Sequence, residues 1–592
     1  MYIGENANVT LQNLILTGGY LTNDNGAGLY ILNNNANVKI ENSEISRNVI
    51  DNGCGAGLRV KHQANKRLNL TIKNSKISSN TINHKDVVAE YSGAGIDIEN
   101  VEVTLKITNS EILQNMINQE GVMAYIPEDK GVGLCLGNSA TTIISGTAIK
   151  NNKIKNAAST NENAGGGVYL NGGTLTIQNS TENNTVISGN LSGYGDGVYV
   201  ENGTFTMNGG AVISSDNDVY LANETTITVT GNLTSTDTVA TITPNEYNTN
   251  RQVLVAGSGV TLSNSLVKQF NVTSAEDAKE WFVDSYGYLG KVPETEGSAV
   301  YLMESYDNLL WIAQELRTNG INSFNIKLTN DIEIPSGKWI SPLDVTKAST
   351  IDGQGHSIKF NDGSGLFERF HGGLIENLVL EGTINTSSYK NHHNGQCGVG
   401  VLAGSTYKTT IKNVVSTVDV VDTGNGYVGG FIGYFGGNSI MDGLQPGSFI
   451  QNCAVYANVT RKNGTVGGLV GGTWENAQCW QINNCIYKGN VTGGTDQGVG
   501  AIIGTHNTGR RSTFKDTWYC ANGTSEIVGK YNNQGNGVNF NGYDTVISKT
   551  TADIATAEAA TLLNTNSDGT VNAVWEYVPG SDYPTLKTLS SE

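Results

Sequence analysis

Apolar residues along this chain fall into short runs that recur every thirty to forty positions, punctuated by glycine and asparagine. In the first half each unit opens on Gly-x-Gly: Gly26-Ala27-Gly28, Gly55-Ala56-Gly57, Gly93-Ala94-Gly95, Gly131-Val132-Gly133, Gly165-Gly166-Gly167 and Gly195-Asp196-Gly197. An apolar run such as Leu29-Tyr30-Ile31 or Val198-Tyr199-Val200 follows. Ile-x-x-Asn closes the unit at Ile45/Asn48, Ile77/Asn80, Ile112/Asn115, Ile149/Asn152 and Ile187/Asn190. Between them, Val38-Lys39-Ile40-Glu41, Leu70-Thr71-Ile72-Lys73 and Leu105-Lys106-Ile107-Thr108 alternate apolar with polar residues. Each is a strand with one inward face. Self-similarity at this period predicts a solenoid of stacked strands. Asn42, Asn74 and Asn109 stand at the bends, where asparagine tolerates left-handed angles and stacked amides can bond from coil to coil. They are expected to be structural.

The cadence predicts a first solenoid over residues 1–243 and lapses over 244–303. That stretch, with Trp281, Phe282, Tyr286, Tyr288 and a candidate short helix at Ala275–Glu280, is expected to be a capping junction. Helical spacing of Leu309, Leu310, Ile312, Ala313 and Leu316 predicts a helix from Tyr306 to Arg317, a cap for a second solenoid over 304–592. There the rhythm changes to glycine-bracketed runs: Gly400-Val401-Leu402-Ala403-Gly404, Gly430-Phe431-Ile432-Gly433, Gly468-Leu469-Val470-Gly471 and Gly500-Ala501-Ile502-Ile503-Gly504. Glycine repeated within apolar strands predicts close backbone approach in a narrow, flattened coil. The expected fold is therefore all-β, two parallel β-helices in tandem, right-handed by analogy with the crossover rule.

The second half resembles the GLUG-repeat region of bacterial surface proteins. The resemblance rests on runs such as Gly468-Leu469-Val470-Gly471, on Leu328-Thr329-Asn330-Asp331-Ile332 and Trp339-Ile340-Ser341-Pro342 after the helix, and on Trp575 with Asp582-Tyr583-Pro584 near the end. It covers residues 303–590, and the first half resembles more loosely the β-helical repeats of bacterial adhesins and polymorphic outer-membrane proteins. What this implies is a non-catalytic, adhesin-like stalk, secreted or at the cell surface of a Gram-positive or gut-type bacterium. The chain begins in what reads as mid-repeat sequence, so it is expected to be a fragment of a longer exported protein.

Composition narrows the partners. With 54 acidic against 36 basic residues the formal charge is −18, which repels phosphate backbones and argues against nucleic acid. Seven cysteines without Cys-x-x-Cys indicate neither a disulfide framework nor a zinc site; Cys453 and Cys485, at matching places in successive units, are expected to stack as buried thiols. No membrane-spanning run or secretory signal is present in the sequence, and a monomer without cofactor is expected.

Catalytic groupings are few in the sequence. His-Glu-x-x-His is absent, and His392-His393 lacks an evident third ligand. Asp352-Gly353 reads as a turn rather than half of a glycosidase carboxylate pair. A polysaccharide lyase or hydrolase and a pure structural spacer are the alternatives. Contact with glycans or a host matrix is expected at an exposed aromatic column just past the apolar runs: Tyr407, Tyr434, Phe435, Trp474 and His506, enlarged by Trp480. Stacked rungs lie about 4.8 Å apart, so such rings form a ladder able to pack on sugar faces.

Overall fold

The computed structural model describes all residues except 5–7, 33–35, 62–65, 86–89, 100–101, 120–127, 156–162, 235–236, 298, 319–322, 340–342, 387–397, 425, 437–447, 474–479, 495–497, 508–512, 533–542, 567 and 588–592. The chain is all-β, its strands winding into parallel β-solenoids, and it divides into two compact units, Met1–Val292 and Pro293–Glu592.

In the first unit the strands of successive coils pair in parallel and in register, Leu68–Lys73 on Ala36–Glu41 and Arg67–Lys73 on Glu102–Thr108. Among the described residues they build sheets of seventeen, seven and five strands. Register puts like on like, so Leu29, Leu58, Ile96, Leu134, Val168, Val198 and Val219 form one fully buried column. Each such side chain contributes roughly 1.5–3 kcal/mol by leaving water.

The asparagines of Ile-x-x-Asn form a second column inside the coil. Asn48, Asn80, Asn115, Asn152 and Asn190, continued by Asn217, are buried, and each of the first five amide nitrogens donates to the next Oδ1 at 2.8–3.0 Å. The same Oδ1 atoms accept backbone N–H groups, so a bend that would strand polar atoms satisfies them. Asn42, Asn74 and Asn109 have the expected left-handed angle, φ 48° in each. The second glycine of Gly-x-Gly has a steric cause: a Cβ on Gly57 would come within 2.5 Å of the Gly95 carbonyl oxygen and 2.8 Å of the Asn80 amide nitrogen.

Residues 244–303 carry more of this architecture. Strands Leu254–Ala256 and Phe270–Val272 pair in parallel with the preceding coils, and an antiparallel hairpin of Trp281–Val283 with Leu289–Lys291 follows. The short helix is not at Ala275–Glu280 but at Asn264–Val267, capped by the Ser263 side chain. Residues 275–278 make a turn instead, because the Ala278 N–H returns to the Ala275 carbonyl with Ala278 at φ 58°, which no helix continues.

In the second unit an antiparallel pair, Thr295–Glu296 with Val300–Met303, leads into the predicted helix, Tyr306–Thr318, whose Leu309, Ile312 and Ala313 join one core with Met303, Phe324 and Ile326. Its coils stack as the glycine-bracketed runs imply: Phe431 N–H donates to the Leu469 carbonyl at 3.0 Å and Leu469 N–H to that of Ile502 at 3.1 Å. The coil is narrow for the reason predicted. A Cβ on Gly471 would stand 2.5 Å from the Val428 nitrogen and 2.6 Å from the Gly433 oxygen. Cys453 and Cys485 are buried in adjacent coils, and burial raises the Cys453 thiol well above its ordinary value.

The C-terminal segment folds back as a strap. Helix Ala557–Asn564 and the hairpin of Trp575–Glu576 with Thr585–Leu586 cover an outward apolar stripe of Val415, Ala454, Ile486 and Trp518. Tyr583 stacks on Tyr456 with ring centroids 4.2 Å apart. Among the described residues, no helix is long and apolar enough to cross a membrane.

Candidate functional site

The aromatic column expected in the second unit turns inward. Phe435 and Trp480 are fully buried, His506 is 1% exposed and Tyr434 5%. Strand pairing aligns Phe370, Thr406, Phe435 and Thr473, all with buried side chains, and Thr473 Oγ1 meets His506 Nδ1 at 2.9 Å. Trp480 packs on Phe435, His506 and Phe514 at centroid distances of 6.2, 5.8 and 5.4 Å. Phe435, Trp480 and His506 fill the coil, because alternation places every second residue after the glycine run on the inner face, while Tyr434, of opposite parity, is buried against Tyr427 at a centroid distance of 4.9 Å. Among the described members of the set, Tyr407 alone is half-buried, beside Lys408 and His371. Trp474 and the His392-His393 loop lie outside the described residues. The second unit therefore lacks the open ladder of Tyr434, Phe435, Trp480 and His506 that was expected to meet sugars.

The first unit has an outward aromatic column. In each coil the residue after the first buried position of the post-glycine strand points out, giving the row Tyr2, Tyr30, Arg59, Asp97, Cys135, Tyr169, Tyr199, Tyr220. Tyr2 and Tyr30 stack at 5.6 Å, and an Arg59–Asp97 ion pair, joined by Glu99 at 3.1 Å, continues the row. Desolvation pushes the Cys135 thiol up to about 12, so it is no nucleophile at neutral pH. Tyr169 and Tyr199 then stack at 5.4 Å and Tyr199 and Tyr220 at 4.9 Å, the latter within 8° of parallel.

Around these three rings a pocket of about 130 Å³ opens to solvent. Tyr194, 43% exposed, stands edge-on to Tyr220 at 5.3 Å and walls one side. Glu128, Lys130, Ala164 and Glu201 complete it. The Lys130 ammonium lies 5.6 Å from the Tyr169 ring centre and pairs with Glu90 at 3.4 Å and Glu128 at 3.6 Å. Burial together with the Glu201 charge drives the Tyr169 and Tyr199 phenols up, so both stay protonated.

A buried polar cluster beneath the pocket fixes its rim. Asp129, between Glu128 and Lys130, is fully buried; its Oδ2 accepts from Gln119 Nε2 at 2.7 Å and lies 2.9 Å from His84 Nδ1, while its Oδ1 accepts the Tyr91 N–H at 2.9 Å. Its own N–H donates to Asn163 Oδ1 at 2.9 Å. The Asn163 carbonyl in turn holds the N–H groups of Gly193 and Tyr194 at 3.0 and 2.9 Å. One network thus sets the segments bearing Glu128, Lys130, Ala164 and Tyr194. Sequence reasoning missed this site although its signal was present, a tyrosine flanked by apolar residues in Leu29-Tyr30-Ile31, Val168-Tyr169-Leu170, Val198-Tyr199-Val200 and Val219-Tyr220-Leu221.

Fold and site together define a parallel β-solenoid with a lateral, tyrosine-lined polar pocket. No family model and no curated protein matches the sequence. Among solved structures, the chain is similar to a candidate immunoglobulin A1 protease from Bacteroides ovatus at 17% identity, over 51% of this chain and 95% of that one, with a TM-score of 0.31.

Proposed function

We propose that this protein is a non-catalytic, surface-exposed β-solenoid that contacts glycans through the tyrosine pocket of its first unit. The observation that carries the reading is the convergence of Tyr169, Tyr194, Tyr199 and Tyr220 with Glu128, Lys130 and Glu201 on one outward-open pocket. Aromatic rings offer apolar surface to sugar faces, and the carboxylates, ammonium and phenols offer hydrogen bonds to hydroxyls. At about 130 Å³ the pocket has the space of roughly four waters. It therefore takes one sugar ring edge. The resemblances to GLUG-repeat and adhesin proteins support a place at a bacterial surface.

Titration calorimetry against an oligosaccharide panel tests the reading. Tyr194→Ala, at an exposed side chain, should weaken binding at least tenfold with an unchanged melting temperature. If the intact protein binds no member of the panel, the pocket is not a glycan site and the solenoid is a spacer. A hydrolase reading draws on one observation, that Glu128 and Glu201 line the same pocket as glycosidase carboxylates do. Release of reducing sugar from a bound oligosaccharide, abolished in Glu201→Gln, would establish it instead.

A further inference from the structure

We infer that the tyrosine pocket discriminates by charge, accepting neutral and amino sugars and rejecting glycans that carry uronic acid, sialic acid or sulfate. The inference rests on the reading of the pocket as a glycan site and adds the class of sugar it takes.

Two carboxylates, Glu128 and Glu201, line the pocket, and a third, Glu90, stands beside Lys130. Among the described residues, Lys130 is the one cation in the lining, and it is shared between Glu90 and Glu128 at 3.4 and 3.6 Å. Its ammonium lies over Tyr169. An incoming anion would have to displace these contacts to reach it. Glu201 lines the pocket beside Tyr199 and offers lone pairs to a ligand donor, since a carboxylate accepts about four hydrogen bonds. The phenols are held protonated by burial and by that carboxylate. The pocket thus presents acceptors and neutral donors around a net negative charge. Hydroxyl and ammonium groups satisfy it, whereas a ligand carboxylate or sulfate meets like charge at short range, which selects against it more than it alters contact area. The whole chain, at −18, adds repulsion of the same sign.

The test uses the full chain and matched probes: lacto-N-tetraose against its sialylated form, and chitotriose and its deacetylated trimer against trigalacturonate, by calorimetry in 150 mM salt. Neutral or amino members should bind at least tenfold more tightly than their acidic counterparts, with the gap narrowing as salt rises. Glu201→Lys should reduce the gap below threefold or invert it, and Glu201→Gln should give the same direction if the lysine variant loses its circular dichroism signature. Acidic probes binding as tightly as neutral ones, or a gap indifferent to residue 201, would overturn the charge rule while leaving a glycan site standing. Binding of no probe at all removes the glycan site and this inference with it.

Discussion

His506 shows how much a single side chain's surroundings decide. Burial lowers its pKa to about 4, so the folded protein keeps it neutral beside Thr473 while the unfolded chain would take up a proton below its ordinary value of 6.5. The folded-state pKa lies below the unfolded one, so His506 costs nothing at neutral pH. Stability falls as pH drops from about 6.5 to about 4, by about 3 kcal/mol in total. The expected outcome is a denaturant midpoint that declines through that window and a shallower decline in His506→Gln. Equal slopes in both proteins would show that the ring is hydrated in the folded state. The same residue marks a limit of the sequence. Its identity suited a sugar contact, but the run Gly500-Ala501-Ile502-Ile503-Gly504 before it has no polar–apolar alternation from which to count parity. Asn48 and Asn80 were more legible, since a polar residue repeated at one place in every coil has few uses but a ladder.

At the scale of elements, strands and coil order could be read from the sequence because each coil repeats the constraint of its neighbour. The helix Tyr306–Thr318 came within a residue of expectation, its apolar stripe being continuous. The four-residue helix at Asn264–Val267 was not foreseen, since one turn has no periodicity to detect and its cap is a lone serine. Nor could the pocket be assembled from sequence. Glu128, Lys130 and Tyr194 come from turns whose placement depends on the buried Asp129 and Asn163, residues that look like ordinary loop polars. The C-terminal strap offers a direct test of element-level packing. Trp575 is 2% exposed and packs in one cluster with Ala454, Ile486 and Trp518. Trp575→Ala should cost about 3–5 kcal/mol, the range for emptying a buried aromatic site. It should also speed thiol labelling of Cys520, which packs partly buried against that cluster. Unchanged labelling would mean that the strap is held by other contacts.

Over the whole molecule, acidic residues outnumber basic ones by 54 to 36. Several ion pairs, such as Arg67–Glu102 at 2.6 Å and Lys359–Glu333 at 3.1 Å, lie at exposed side chains, where each contributes about 0–1 kcal/mol. Self-repulsion should outweigh them, so the melting temperature is expected to rise between 10 and 150 mM salt as screening shortens the reach of the charges. A fall would show that the exposed pairs, not the net charge, govern the balance.

The glycine-to-glycine register of the first unit has one more consequence. Because Gly133 and Gly167 occupy equivalent places in adjoining coils, a second copy of residues 134–167 spliced in after Gly167 would meet the same junction chemistry that Leu134 already meets. Length in this molecule is thus a countable quantity, adjustable by whole turns without reshuffling inside from outside. The outward row would gain one place in step with it, filled by a second copy of Cys135.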